Sequence, residues 1–239
     1  MPSKLYLIPN FISAESSVEV IPAYVGHTIA HVRHFFVEER KSAEKFLKRL
    51  KVPFVFSDCQ IFLLNEQTSR TETEETFSGI IGKDIGVISE SGCPCIADPG
   101  ADLVLLAHQN GMEVVPLVGP SSIILGLMAS GLNGQSFVFH GYLPREQELR
   151  IKKIKEWERR SVIEKQTQIF MDTPYRNLAV FRDIVSSCDR KTWLCVASEI
   201  SSPSAYIKTL SIKDWQNVDP PIHKKPALFL IRKDEKTSP

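Results

Sequence analysis

The sequence predicts an α/β protein made of two α/β domains. Between 85 and 131 a buried strand, a helix, a second strand and a second helix follow one another, which is typical of parallel strands joined by helical crossovers. The second half repeats this alternation less regularly, and its last strands lack a long helix between them, which favours a mixed sheet. A chain of 239 residues has room for two domains. We therefore expect domains over 1–118, with a mainly parallel sheet, and over 119–239, with a mixed sheet.

The elements of the first domain follow from the spacing of apolar residues. Apolar residues at helical spacing predict a helix within 22–34, and "KSAEKFLKRL" is amphipathic with Phe46, Leu47 and Leu50 on one side. A polar loop leads into a helix before "DIGVIS", which has the continuous apolar run of a buried strand. The remaining predicted strands or short apolar runs are "KLYLIP", "HFFVEE", "PFVFS" and "MEVVPLV".

Two helices have recognisable start and stop signals. Asp98 is expected to cap the helix "GADLVLLAHQN", with Pro99 in its first turn and Gly111 after its end. The helix "GPSSIILGLMAS" is opened by Gly-Pro-Ser at 119–121 and closed by Gly131.

The second domain is predicted from "SFVFHGYLP" onward. That strand is followed by a charged helix over 146–160 with Ile151, Ile154 and Trp157 on one side. A strand, "QIFMD", and a helix, "YRNLAVFRDIVSS", come next. The last strands are "TWLCVASEI", "AYIKTLS" and "ALFLIRK".

Composition excludes several classes of protein. With 43% hydrophobic and 24% charged residues the chain is typical of a globular protein and not of a disordered one. No apolar run reaches the roughly 18 residues of a membrane helix, and the first residues do not resemble a signal peptide, so we expect a cytoplasmic protein without membrane contact. Five cysteines in a chain of this length do not indicate a disulfide framework. The Cys-x-Cys spacing of Cys93 and Cys95 fits neither a zinc nor a redox motif.

Two further groups of residues are open to a functional or a plain structural interpretation. His27, His31 and His34 would share one face of a helix, if it extends that far, and would then be potential metal ligands; a polar face is favoured, and no metal is expected. Residues 145–165 contain eight basic and five acidic residues, which suit either RNA phosphates or a solvated helix. Residues 1–118 hold 10 basic and 15 acidic residues, against 19 and 13 in 119–239, so the second half is the more suited to a polyanion.

The strongest candidate site lies where two parallel strands end. The loops "SESGCPCIADPG" and "VGPSS" follow successive strands, and open parallel sheets bind ligands beyond the carboxyl ends of their strands. Their Gly, Ser and Pro residues suit close backbone approach to a ligand, although ordinary helix starts favour the same residues. Neither G-x-G-x-x-G nor G-x-x-x-x-G-K-[ST] occurs, so a ligand anchored by phosphates is disfavoured.

An ordered set of motifs resembles the tetrapyrrole methylase superfamily, and within it the ribosomal RNA small-subunit methyltransferase I branch. "VISESGCPCIADPG", "MEVVPLVGPSSIILGLMASGL" and "FVFHGYLPRE" stand where that branch has "VSDAGTPLISDPG", "VVPLPGPSA…ALSASGL" and "FLFEGFLP". "VEERK", "IFMDTPYRNL" and "ASEIS" stand where it has "AEDTR", "IFYESPHRL" and "ARELT". The match keeps the same order over nearly the whole chain.

This resemblance implies an S-adenosylmethionine-dependent methyltransferase that 2′-O-methylates a ribose in ribosomal RNA by in-line methyl transfer. It also implies two α/β domains with the cofactor in the cleft between them, a homodimer, and cofactor contacts made largely by the backbone. Such a cofactor has no phosphate to hold, which agrees with the missing phosphate motifs. The positions carried over are Glu90, Ser91, Gly92, Cys93, Pro94, Ser121, Ser122, Met171, Asp172, Ala197, Ser198, Pro226 and Ala227.

Methyl transfer to a hydroxyl requires alignment of the acceptor and removal of a proton. Carboxylates at the matched positions are the candidates for this role, although each would equally suit a capping or ion-pair role. They are Glu38, Glu90, Asp172 and Glu199. Two alternatives stay open: a methyltransferase acting on a tetrapyrrole or another small molecule, and a non-catalytic cofactor-binding regulatory or scaffold protein.

The main departure from the family pattern is the loop after the first strand. The branch has "PTPIGNLxDIT" there, whereas this chain has "PNFISAESSVEVIP" without the Gly-Asn-Leu core. Cys93 replaces a threonine and Tyr175 a histidine, while Arg176 is kept. The sequence leaves open whether cofactor binding or substrate choice changes with this loop.

Overall fold

The computed structural model describes residues 2–53 and 55–234 and divides the chain into two compact units, Met1–Ser121 and Ser122–Pro239. We call them unit 1 and unit 2. The boundary at 118/119 expected from the sequence lies a few residues before this division. Within the described residues, no helix is long and apolar enough to span a membrane.

Unit 1 contains a five-stranded, fully parallel sheet. Its strands are β1 (Lys4–Ile8), β2 (His34–Val37), β3 (Gln60–Leu63), β4 (Ile85–Ile88) and β5 (Glu113–Pro116), in the spatial order β3-β2-β4-β1-β5. Its helices are α1 (Ala23–Thr28), α2 (Arg40–Arg49), α3 (Arg70–Ser78) and α4 (Ala101–Gln109). β4 has the sequence IGVI and is buried along its whole length, because helices cover both faces of the sheet.

The helices divide between the two faces of this sheet. Val25 of α1 and Phe46 of α2 pack with Ile8 on one face, whereas Phe77 of α3 and Leu103 of α4 pack with Leu5 on the other. The connections that leave the neighbouring strands β1 and β4 therefore lie on opposite faces of the sheet. Adjacent strands whose connections diverge in this way leave a crevice at their carboxyl ends, where ligands of such sheets bind.

Unit 2 contains a mixed sheet, as the sequence predicts. Its strands are β6 (Phe137–Tyr142), β7 (Thr167–Asp172), β8 (Trp193–Ser198), β9 (Tyr206–Ser211) and β10 (Ala227–Arg232), in the order β6-β7-β10-β8-β9. β10 is antiparallel to both β7 and β8, so β7 and β8 end at the edge where β10 begins. Its helices are α5 (Ser122–Ser130), α6 (Gln147–Ile163), α7 (Asn177–Ser187) and α8 (Ile212–Trp215).

The core of unit 2 confirms the apolar side of the charged helix. Ile154 and Trp157 of α6 are buried with Phe170 and Phe229 of the sheet. The basic residues of α6 are not all solvated, because Arg150 is only 5% exposed and its guanidinium lies 2.6 Å from the Asp183 carboxylate. A buried ion pair of this kind is costly to break, since one uncompensated charge would remain inside.

The structure differs from what the sequence indicates in three places. The helix α4 begins at Ala101 with Gly100 as its N-cap, so Asp98 does not cap it and Pro99 is outside it. Gly100 has φ 129, and Cys95 and Ala97 also have positive φ, so the chain makes extra turns before the helix starts. A Cβ on Gly100 would lie 2.8 Å from Cys95 Sγ, which explains why glycine stands there.

The three histidines and an additional edge strand are the other two differences. α1 ends at Thr28 and His34 lies in β2, so the three histidines share no helical face; His31 instead contacts Asp84 at 2.7 Å. No group of potential metal-ligating side chains occurs among residues 2–53 and 55–234. The edge strand β3 was not predicted. The run "PFVFS" contains Phe54, which lies outside the described residues, and its end forms a 3-10 turn over Phe56–Asp58.

Candidate active site at the carboxyl ends of the strands

The loop after β4 holds the predicted residues Glu90 to Pro94 and packs against the loop after β1. Asn10, which is 4% exposed, links the two loops. Its side-chain amide donates to Ser89 O at 2.7 Å and to Glu90 O at 3.2 Å, and its backbone N–H donates to Gly92 O at 2.7 Å. Asn10 therefore fixes the backbone of the predicted cofactor loop from the neighbouring strand.

The loop after β5 packs against the same edge. A Cβ on Gly119 would lie 2.1 Å from Pro9 Cβ, so only glycine permits this approach of the two loops. Cys93 Sγ lies 3.5 Å from Pro120 O, within range of a weak S–H hydrogen bond. Three strand-end loops are thus packed together at the carboxyl edge of β4, β1 and β5.

The atypical segment after β1 is an ordered part of unit 1. Phe11 is 6% exposed, and its ring packs edge-on against the ring of Phe46 with 5.5 Å between the two centroids. The Arg49 guanidinium lies over the Phe11 ring, 3.8 Å from its centroid. Arg49 also donates to Ser16 O at 2.5 Å. The loop that replaces the family's Gly-Asn-Leu pattern is therefore held by an aromatic and cationic contact with α2.

Three carboxyl groups gather at the ends of β2 and β4. Glu38 follows β2, Glu90 follows β4, and Asp98 lies in the turns after Glu90. Burial and then the charges of Asp98 and Glu90 raise the pKa of Glu38 to about 7. Burial and the Glu90 charge raise the pKa of Asp98 to about 6, and burial is also the main cause that raises the pKa of Glu90. Glu38 Oε1 is buried without a hydrogen-bond partner among the described residues.

This cluster has the properties of an acid–base site. A carboxyl group with a pKa near neutral can accept a proton at physiological pH and remain a usable acid. The sequence predicted Glu38 and Glu90, and the structure brings these two together. It did not predict Asp98 as a member, because the Asp-Pro pair was interpreted as a helix start.

The predicted cofactor loop also exposes backbone donors. Within the described residues, the amide groups of Ser91, Gly92 and Cys93 donate to no protein group, although the carbonyl groups of Glu90 and Gly92 are engaged. Unpaired amides in a strand-end loop are suited to a ligand with acceptor atoms.

The predicted residues of unit 2 meet at one edge of its sheet. Ala227 pairs with Asp172 on one side and with Ser198 on the other. Ser198 Oγ donates to Pro226 O at 2.7 Å, which fixes the start of β10. Met171 and Ala197 precede Asp172 and Ser198 in β7 and β8, and Ser122 is the first residue of α5. Ser121, which comes directly before it, is the last residue of unit 1.

Asp172 is fully buried and only partly satisfied. Its Oδ1 accepts from Thr173 N at 2.6 Å and lies 2.5 Å from the Arg176 guanidinium. Its Oδ2, Arg176 Nη1 and Asn177 Oδ1 are buried and have no partner among the described residues. Three unsatisfied polar atoms at one strand end are consistent with a bound ligand or ordered water. Glu199, the fourth predicted carboxylate, follows β8 in a left-handed conformation with φ 51.

Comparisons with known proteins fit this architecture. No family model matches the chain. Ribosomal RNA small subunit methyltransferase I of Buchnera aphidicola is 30% identical over 172 residues, which are 70% of this chain and 59% of that protein. The protein of the same name from Vibrio cholerae is 27% identical over 211 residues, 88% of this chain and 69% of that protein. That from Escherichia coli O157:H7 is 30% identical over 182 residues, 74% of this chain and 57% of that protein. The chain thus matches between 57% and 69% of the length of these three relatives.

Two solved structures share the fold. The methyltransferase CobJ superposes with a TM-score of 0.62 at 12% identity, over 97% of this chain and 94% of that chain. Diphthine synthase superposes with a TM-score of 0.63 at 12% identity, over 96% and 90%. At this identity the likeness concerns the fold alone.

Proposed function

We propose that this chain is a member of the tetrapyrrole methylase superfamily and, within it, an S-adenosylmethionine-dependent methyltransferase that methylates a ribose 2′-hydroxyl in ribosomal RNA. The observation that carries the proposal is the packed edge of β4, β1 and β5, where unpaired backbone amides and carboxyl groups with raised pKa values lie together. The names of the sequence relatives favour RNA over a tetrapyrrole as the acceptor.

The residues present suit the chemistry of this cofactor. Its carboxylate, ribose hydroxyls and adenine nitrogens can accept hydrogen bonds from the free amides of Ser91, Gly92 and Cys93. Glu90, Pro94 and Ser121 complete the proposed contacts in unit 1, and Ser122 at the start of α5 belongs to unit 2. In unit 2 the proposed contacts are the main chain and side chains of Met171, Asp172, Ala197, Ser198, Pro226 and Ala227.

When bound, the cofactor supplies an activated methyl group on its sulfonium. The protein supplies proton acceptance at a carboxylate and exclusion of water. Glu38 is the group we assign to proton acceptance, because its burial, together with the charges of Asp98 and Glu90, raises its pKa to about 7. Asp172 and Glu199 remain candidates for positioning the acceptor.

Three further expectations are part of the proposal. A homodimeric assembly is implied by the resemblance, while a cytoplasmic location and two domains over 1–118 and 119–239 are expected from the sequence. Size-exclusion chromatography with light scattering tests the first, and separate expression of the two segments tests the last.

Calorimetric titration with S-adenosylmethionine tests the cofactor assignment, and two glycines provide a matched pair of variants. Gly92 (φ 71) and Gly111 (φ 69) both adopt a left-handed conformation, so alanine strains both backbones similarly. Only Gly92 lies in the proposed site. We expect Gly92→Ala to weaken binding by about tenfold or more, while Gly111→Ala binds as the unaltered protein does. No binding at millimolar cofactor would overturn the proposal.

A further inference from the structure

The helix α2 is strongly basic within a unit that is otherwise acidic. Residues 40–51 contain six basic side chains and one acidic one, and these six are the majority of the ten basic residues in 1–118. Clustered cations on one helix are the usual electrostatic footprint of a polyanion. The net charge of unit 1 does not reveal this group of cations, because the rest of the unit carries an excess of acidic residues.

One face of α2 lines a small cavity beside the atypical loop. The cavity has a volume of about 150 Å³ and is bounded by residues 10–14 of the loop, by Ser42, Lys45, Phe46 and Arg49 of α2, and by Glu90. Ser42, Lys45 and Arg49 share this face, since they are three, four and seven residues apart. The cavity therefore joins the loop that departs from the family pattern to one of the proposed catalytic carboxylates.

The two cations of this cavity are not neutralised by carboxylates. Arg49 contacts the carbonyl oxygens of Ser16 and Ala14 and the ring of Phe11, none of which carries a charge. The Lys45 side chain is exposed, and its ammonium group has no hydrogen bond or ion pair among the described residues. Lys48, one turn away, is paired with Glu44 at 2.7 Å and does not line the cavity.

The acidic member of the lining makes free phosphate a poor occupant. Glu90 accepts a hydrogen bond from the Ser42 hydroxyl and would repel an isolated anion placed beside it. A nucleotide unit of RNA offers both kinds of group that the lining can bind. Its phosphodiester is an anion for Lys45 and Arg49, and its 2′-hydroxyl is a donor for a carboxylate.

We propose that this cavity binds one phosphodiester of the RNA strand through Lys45 and Arg49, and places an adjoining ribose hydroxyl beside Glu90. The inference rests on the proposed RNA methyltransferase function and extends it to a substrate-binding subsite. It also gives the atypical loop a role, because Phe11 holds Arg49 and residues 12–14 form the cavity wall.

The test measures binding of small-subunit ribosomal RNA, taken from cells that lack this protein, over a series of salt concentrations. Lys45→Ala should weaken binding about fivefold and reduce the slope of log K against log salt by about 0.7, the value for one phosphate contact with a single strand. Lys45→Glu should weaken it further, and Lys45→Arg should restore most of it. The matched control is Lys48→Ala, which removes an equal charge outside the cavity and should change neither quantity.

The outcomes separate this inference from the function on which it rests. Calorimetry should give the same affinity for S-adenosylmethionine in all Lys45 variants. If Lys45→Ala and Lys45→Glu bind RNA as tightly as the unaltered protein, with the same salt dependence, the subsite is refuted and the methyltransferase proposal stands. If the unaltered protein binds cofactor but neither binds nor methylates RNA, both are refuted. DNA of the same sequence should bind more weakly than RNA, and equal affinity would overturn the assignment of Glu90 to a ribose hydroxyl.

Discussion

Asn10 is predicted to stabilise the site more than any other single side chain of the loop after β1. Its amide forms three hydrogen bonds, to Ser89 O, to Glu90 O and from Phe11 N, and two of them are buried. Asn10→Ala would leave the buried Phe11 N–H and Ser89 carbonyl without partners. An unsatisfied buried group costs about 1–3 kcal/mol. We therefore expect a loss of about 2–4 kcal/mol in the free energy of unfolding of unit 1.

Asn10→Asp provides a sharper version of the same test. Aspartate keeps an acceptor for Phe11 N but places a carboxylate against the carbonyl oxygens of Ser89 and Glu90. The aspartate pKa should rise in the folded state, because the protonated form can donate to a carbonyl. Its destabilisation should be full at neutral pH and should decrease as the pH falls through this raised value. At pH 7 Asn10→Asp should be less stable than Asn10→Ala.

Hydrogen exchange measured by mass spectrometry is the suitable assay. The three tryptophans, Trp157, Trp193 and Trp215, all lie in unit 2, so their fluorescence does not report directly on unit 1. Peptides from 4–20 and 85–95 should exchange faster in both Asn10 variants. The control is Asn110→Ala, which removes one exposed bond to Leu106 O and should change exchange little. Unchanged exchange in Asn10→Ala, or equal stability of both variants at pH 7, would refute the role given to Asn10.

Three further predictions concern other contacts. Gly119→Ala should destabilise unit 1 by about 1–3 kcal/mol, because its Cβ would overlap Pro9, and should weaken cofactor binding in calorimetry. The methyl-transfer rate should rise with pH through an apparent pKa near 7, because Glu38 accepts a proton only when it is ionised. Glu38→Gln should lower this rate by about 10² and should remove most of its increase with pH. Arg150→Ala should cost unit 2 about 3–5 kcal/mol in urea unfolding followed by tryptophan fluorescence, because the Asp183 charge would stay buried without its partner.

Each of these has a control and a contradicting result. Gly79→Ala adds a Cβ that meets only ordinary contacts and should be neutral, so equal effects at 79 and 119 would reject the steric argument. A pH profile of Glu38→Gln that matches the unaltered enzyme would remove Glu38 from proton transfer. Arg160→Ala breaks a surface pair with Glu164 and should cost less than about 1 kcal/mol, so a similar loss in Arg150→Ala would show that burial is unimportant.

The elements best predicted from the sequence are those whose pattern is local. β4 was predicted because four consecutive residues are buried by helices on both faces, which leaves a continuous apolar run. β3 was missed because it is a short edge strand whose Gln60 and Leu63 are exposed, so its pattern resembles a loop. Asp98 was misplaced because Asp-Pro normally starts a helix, whereas Gly100 here allows extra turns first.

The candidate site could likewise be predicted from the sequence only where a local pattern identifies its residues. The loop after β4 was a candidate site because small residues follow a buried strand, and the resemblance to the methyltransferase branch implied the positions Glu90 to Pro94 within it. Asn10 was not predicted, since its partners lie about 80 residues away in sequence and nothing in "PNFIS" identifies them. The cluster of Glu38, Glu90 and Asp98 likewise depends on the pairing of β2 with β4, which only the structure gives.

Transfer of a labelled methyl group tests the central claim most directly. Small-subunit ribosomal RNA from cells lacking this protein is incubated with labelled S-adenosylmethionine and the full chain, with a tetrapyrrole precursor in a parallel reaction. The account predicts label on the RNA, at a ribose 2′-oxygen after nuclease digestion, and none on the tetrapyrrole. Label on the tetrapyrrole alone, or on neither acceptor by a protein that binds the cofactor, would contradict it.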